Sequence, residues 1–218
     1  MTRLRITSSF AVVTLVMGIG VAVTWGRTII VTATVCDRMA GISDIAPRQS
    51  WALSQPWPGI YSNTTLTIQP RQSFLFRFDL GEIPDGHRIA HAQLTLPVNT
   101  WSGVEPRFYL WRVLPDWGRG ACHLYRKVER DRKIEWTKPG AAGISSDRAT
   151  RPTDIVRVTE AGDVTINVTE DLDLWNTGAA PNRGWMLTVE DPGTVVHLLS
   201  PAYSAAARWK LRVTYEPQ

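Results

Sequence analysis

The sequence is poor in cysteine: Cys36 and Cys122 are the only two in 218 residues. That excludes a disulfide-dense scaffold and leaves one conceivable bridge, across a separation of 86 residues. In an oxidising compartment such a bridge contributes roughly 4–5 kcal/mol in the chain-entropy model, and the alternative is two free thiols. There is no Gly-x-Ser-x-Gly elbow, no phosphate-cradling glycine loop and no His-Glu-x-x-His pair, so the common hydrolase, nucleotide and metalloprotease signatures are missing. No segment repeats at solenoid length. No cofactor is expected; structural Ca²⁺ on loop oxygens, common in sandwiches, stays open, although no dense Asp/Asn loop stands out. Acidic residues are absent before Asp37, whereas Arg3, Arg5 and Arg27 precede it. Beyond Ala33 the chain carries 21 basic and 20 acidic residues. The basic pI therefore arises at the N-terminus and does not indicate a nucleic-acid partner, which needs a sustained basic face.

The uncharged run from Ile6 to Gly26 follows Arg3 and Arg5. As a helix it would reach about 31 Å, enough for a bilayer core. Basic residues before an apolar run are also the layout of a secretory signal peptide. Residues 1–33 are thus expected to be a signal peptide or a membrane anchor, with residues 34–218 outside. The remaining chain would be secreted, or anchored to the outer face of the cytoplasmic membrane and touching membrane only through this N-terminal hydrophobic helix.

After a turn-rich stretch to about Ser73, apolar residues recur at every second position. Phe74, Phe76, Phe78 and Leu80 share one face, as do Ala92, Leu94, Leu96 and Val98. Tyr109, Trp111 and Val113, then Val164, Ile166 and Val168, and finally Trp209, Leu211, Val213 and Tyr215 repeat the pattern. Half-buried strands of antiparallel sheets produce this alternation. Several of them between Gly/Pro/Asp turns predict an all-β antiparallel sandwich with one short helix. That helix is expected to start at a Thr169 cap, carry Glu170 and Asp171 in its first turn, and stop at Gly178. Between Trp117 and Ser146 the pattern fades, which predicts a long loop or a hairpin outside the main sheets.

This segment holds the one concentrated basic stretch, with Arg119, Arg126, Lys127, Arg130, Arg132, Lys133 and Lys138. Guanidinium groups pair carboxylates bidentately, so the stretch suits an acidic polysaccharide; the alternative is a solvated hairpin. Ten tryptophans are many for this length. Trp111, Trp175 and Trp209 fall at inward positions and are expected in the core. Trp51, Trp57, Trp101, Trp117 and Trp136 lie in turn-rich stretches and are candidate platforms for sugar rings. His87 and His91 have helical metal spacing, but they sit where a turn enters a strand, so solvent-facing rings are expected. Asp116 and Glu135 could oppose each other for glycoside chemistry, whereas Asp79 is expected to bond backbone amides in a turn.

Phe74-Leu-Phe-Arg-Phe-Asp-Leu80, Ile83-Pro84 and Ala92-Gln-Leu-Thr-Leu96 together resemble the opening of the DNRLRE-type modules, carbohydrate-binding module family 96. Trp117, Glu135-Trp136-Thr-Lys-Pro139, Leu174-Trp-Asn-Thr-Gly178, Asn182-Arg-Gly-Trp-Met-Leu187 and Trp209-Lys-Leu-Arg-Val-Thr-Tyr215 continue the likeness over residues 42–216. The resemblance implies a jelly-roll-like β-sandwich and, for some members, polysaccharide binding. The basic insertion after Trp117, Pro201-Ala202 after Ser200, and Trp209 in place of a usual proline depart from the family pattern. The expectation is a non-catalytic module whose partner is a polysaccharide or cell-surface glycan. Trp117, Arg119, Arg126, Lys127 and Trp136 are the expected ligand-binding residues. The alternative is a structural or adhesive domain that holds another protein.

Overall fold

The computed structural model describes residues 27–32, 38–50, 65–81, 83, 86–118, 120–130, 132–200 and 209–217. In chain order the first strands are β1 (Arg27–Thr32), β2 (Arg38–Ser43), β3 (Thr65–Ile68), β4 (Gln72–Arg77) and β5 (His87–Ser102). Next come β6 (Arg107–Arg112), β7 (Tyr125–Glu129), β8 (Arg132–Glu135), β9 (Asp154–Arg157) and β10 (Gly162–Asn167). Helix α1 (Thr169–Asn176) precedes β11 (Trp185–Val189), β12 (Val195–Leu199) and β13 (Lys210–Pro217).

All the strand pairs run antiparallel. One sheet has the order β1-β13-β5-β12-β3, with β10 also paired to β5; a second has the order β2-β4-β11-β6-β9; β7 and β8 form a separate hairpin. The alternation read from the sequence explains β4, β5, β10 and β13; in β6 the face expected inward, Tyr109 and Trp111, turns to the other side of its sheet and Leu110 faces the main core. Leu94 and Leu96 of β5, Leu211 and Val213 of β13, and Ile166 of β10 enter one hydrophobic cluster. Phe74 and Phe76 of β4, Leu110 of β6, and Trp185 and Leu187 of β11 enter the same cluster from the second sheet. Its aromatic centre sets Trp209 edge-on to Phe76 at 5.0 Å and Trp175 against Trp185 at 4.6 Å, an arrangement the ring quadrupole favours.

A second cluster lies on the other face of the five-stranded sheet. Ala40, Ile42, Leu75, Trp111, Val113 and Met186 meet Trp117, Ala121, Trp136 and Ala141 from the connection between β6 and β9. Leu75, expected on the outward face of its strand, is therefore fully buried. A strand covered on both faces loses its alternation, and β4 is buried at five successive residues. Gly184 lets this sheet assemble at the entry to β11: its φ is +76°, and a Cβ there would stand 2.1 Å from the Phe76 carbonyl oxygen.

Two expectations need correction. Thr169 is not the cap of α1 but its first residue, after Val168. Its hydroxyl is taken up elsewhere, accepting from the Ala92 amide at 2.9 Å and donating to Asn167 Oδ1 at 2.8 Å, which ties the helix to β5. The helix does end before Gly178, whose φ is +72°.

The second correction concerns the membrane. Among the described residues no helix is long and apolar enough to cross one, and α1 has eight residues. The expected span, Ile6–Gly26, lies outside the described residues, and so does most of the segment 1–33 assigned to a signal peptide or anchor. A membrane contact through that segment, and anchoring to the outer face of the cytoplasmic membrane, are accordingly withdrawn. The part of it that is described, β1, is extended and pairs with β13 from Arg27↔Tyr215 to Thr32↔Lys210. The sheet thus begins before the expected division at residue 33.

Candidate functional site

The connection from Val113 to Arg148 owes its shape to two carboxylates, one of them buried. Asp147 is almost wholly enclosed. Its Oδ1 accepts from the Thr137 amide at 2.9 Å, and its Oδ2 accepts from the amides of Lys138 at 2.8 Å and Gly143 at 3.0 Å. A carboxyl with three amide donors fixes the stretch 137–143, which lies outside the strands. Asp116 anchors the other end, accepting from Arg183 Nη1 at 2.9 Å and Lys127 Nζ at 3.2 Å.

The residues expected to bind ligand fall into this scaffold. Trp117 and Trp136 are 1% and 4% exposed. Trp117 Nε1 donates to the Arg183 carbonyl at 2.7 Å, and Trp136 Nε1 donates to the Cys122 carbonyl at 2.8 Å. Both rings pack on the outer face of the second sheet, so the expectation that they stand exposed as sugar platforms is corrected. Turn-rich sequence around them signals local conformation, not exposure. Arg126, on β7, donates from Nη1 to the Asp116 carbonyl. Lys127 bridges Asp116 and Glu129, with its Nζ 2.5 Å from Glu129 Oε1. The Glu129 bond, then the Asp116 bond, raise the Lys127 pKa, and the same pairing lowers that of Glu129. The charges of Arg126 and Lys127 are thus engaged within the connection. Arg119 lies outside the described residues, as do Trp51, Trp57 and Cys36. Cys122 is buried and has no disulfide among the described residues; its sulfur accepts from the Tyr125 amide at 3.4 Å. Trp101 packs partly buried against the main core.

Other expected chemistry is dispersed. His87 and His91 both lie on β5, where four residues of strand separate them by about 13 Å. His87 meets Tyr215 edge-on at 5.2 Å. Asp79 Oδ1 accepts from the Gly81 amide at 3.0 Å, as a turn aspartate does. Asp116 belongs to the cation cluster just described, while Glu135 is exposed at the end of β8. Among the described residues no group of three or more His, Cys, Asp or Glu side chains is placed to hold a metal ion.

What the packing of the connection leaves open is a groove of about 350 Å³ over β2, β4 and β11. Its floor is Ile42, Ser73, Met186 and Thr188; one rim is Pro139, Gly140, Ala142 and His123, and another is Pro70 and Arg71. Arg148 also lines it. A β-bridge from Arg148 to Val113 and the bond from the Ala149 amide to the Arg112 carbonyl, 2.9 Å, seat this residue beside the end of β6. Its guanidinium lies 3.9 Å over the Trp111 ring, whose Nε1 bonds Thr188 Oγ1 at 3.2 Å. Arg148 Nε is buried without a hydrogen-bond partner. Burial pulls its pKa below the ordinary arginine value and Glu190 pulls it back up, and the group stays charged at any physiological pH. Across the groove His123 presses its ring on Gly140, where a Cβ would stand 3.1 Å from Cε1. Burial lowers the His123 pKa; Asp44 opposes that shift and Arg71 adds to it.

A wider hollow of about 430 Å³ beside α1 is lined by Trp175, Asn176 and Asn182. Its amides are already bonded, Asn176 Nδ2 to the His87 carbonyl at 2.6 Å and Asn182 Nδ2 to the Phe78 carbonyl at 2.9 Å. The groove at Arg148 has the stronger chemistry despite its smaller volume. Sequence reasoning missed both Arg148 and His123, because each is an isolated residue whose neighbours come from distant strands. No family model matches the chain, and no curated protein matches it.

Proposed function

We propose that this protein is a non-catalytic module that binds a carbohydrate, with an acidic polysaccharide as its best-fitting ligand, in the groove over β2, β4 and β11. The two sheets would stack as a jelly-roll-like sandwich of the DNRLRE type, the family its strand motifs resemble. The observation that carries the reading is Arg148. A guanidinium 3.9 Å over Trp111 that lines the groove, with no carboxylate in ion-pair reach among the described residues, suits a carboxylate from outside. Pro139 and Pro70 on the groove's rims offer apolar surface to the C–H face of a sugar ring. Shallow grooves of this kind give selectivity through a few polar groups on an apolar bed.

The test is affinity electrophoresis of the full chain through gels containing acidic or neutral polysaccharides at low ionic strength. Retardation by an acidic polymer is expected, lost in Arg148→Met and weakened by salt. Migration unaffected by every polysaccharide tried would end this reading.

A further inference from the structure

The groove carries a second ionisable group whose state is set by its surroundings. His123 is held between the Cys122 segment and Gly140, whose amide donates to the His123 carbonyl at 2.7 Å. Gly140 has a φ of +79°, and the space a side chain would need is occupied by the imidazole. The ring therefore packs on Gly140 at the groove's rim. The charged groups around it come from three sides. Asp44, after β2, and Arg71, before β4, pair with each other at 2.5 Å. Arg148 and Glu190 share the groove with the ring. Partial burial lowers its pKa, so the ring is neutral at pH 7 and takes its proton below an ordinary histidine value of about 6.5.

We infer that His123 is a ligand-reading group of this groove, and that its protonation on mild acidification adds a positive charge which tightens the binding of an anionic sugar held at Arg148. The inference rests on the function proposed above and adds its regulation. The sign follows from linkage. A ligand carboxylate with an ordinary pKa of about 3.5 remains ionised while the imidazole gains its proton. A charge-charge attraction then exists below the His123 pKa that is absent above it. By reciprocity, the bound anion raises the His123 pKa by the same coupling. For a partly screened pair at the rim of a groove, the gain is about 5–10-fold in affinity.

The experiment is titration calorimetry of the full chain between pH 7.5 and 4.5, with a soluble oligouronate and a neutral oligosaccharide of equal length. The wild-type protein is expected to bind the oligouronate about 5–10-fold tighter at the acid end, with His123→Gln flat across the range. A flat wild-type profile, or a slope retained in His123→Gln, overturns the inference while leaving the proposed function standing. Binding of the neutral sugar alone overturns the inference and, with it, the acidic ligand of the proposed function, leaving only carbohydrate binding. Absence of binding to either ligand at any pH overturns both. Should His123→Gln fold poorly, the NMR titration of the His123 ring in the wild-type protein decides: a pKa that rises on saturation with oligouronate supports the coupling, and an unchanged one refutes it.

Discussion

Asp171 illustrates how a single residue serves packing at an electrostatic cost. It sits in the first turn of α1, buried, where its Oδ2 accepts from Trp185 Nε1 at 2.7 Å and from the Thr153 hydroxyl. Arg112 Nε lies 2.9 Å from Oδ1, a charge contact without good hydrogen-bond alignment. Burial raises the carboxyl pKa, and the bonds from Thr153 and Trp185 and the charge of Arg112 only partly offset it. A folded-state pKa above the unfolded one means that the folded chain holds its proton more tightly. The Asp171 contribution is then complete below about pH 4 and is lost as pH rises through the folded value. Asp171→Asn keeps an acceptor for Trp185 but cannot ionise. The stability of the wild type relative to Asp171→Asn should therefore fall as pH rises from about 4, then level off. Denaturant midpoints from pH 3.5 to 7 measure this directly, and a difference that grows with pH contradicts the raised pKa. Its place in the first turn is legible in the sequence; its enclosure by Trp185 and Arg112 is not, because both come from other strands.

Among elements, the connection carrying β7 and β8 departs furthest from its sequence appearance. Its seven basic residues suggest a solvated arm, and its hairpin is indeed separate from both sheets. Yet Trp117, Ala121, Trp136 and Ala141 make it the cover of the second sheet's outer face. Arg130, Arg132 and Lys133 report where the hairpin meets water, and the tryptophans flanking it report where the connection meets protein. Trp136→Ala should cost about 3–5 kcal/mol by thermal or denaturant unfolding, the usual loss for an emptied core tryptophan site. Lys133→Ala, on the exposed strand β8, should change stability by less than about 0.5 kcal/mol. Equal effects would mean that the hairpin does not cover the sheet.

At the scale of the whole molecule, β1 shows that the folded body extends beyond the division suggested by composition. The sequence breaks at about residue 33 because the uncharged run and the last basic flank precede it. In the structure, Arg27–Thr32 forms one edge of the first sheet and pairs with β13 from Lys210 to Tyr215. Removing it uncovers the backbone donors and acceptors of β13, a template for aggregation. A chain beginning at residue 34 should melt at a lower temperature and aggregate sooner on warming than one beginning at residue 27. Scanning calorimetry with light scattering checks both, and identical behaviour would show that β1 adds nothing to the sheet.

The sequence by itself determined the strands with one buried face, the turn at Asp79, the end of α1 before Gly178, and the inward tryptophans Trp175 and Trp209. Each of these rests on side chains two to four residues apart, so local spacing is sufficient. Tertiary structure alone decided that Leu75 and Trp117 are buried, that Arg126 and Lys127 are engaged by Asp116 and its neighbours, and that Arg148 lies over Trp111 with no ion pair among the described residues. Those outcomes depend on which distant segment covers a face or supplies a counter-charge, and no pattern within a few residues encodes that choice.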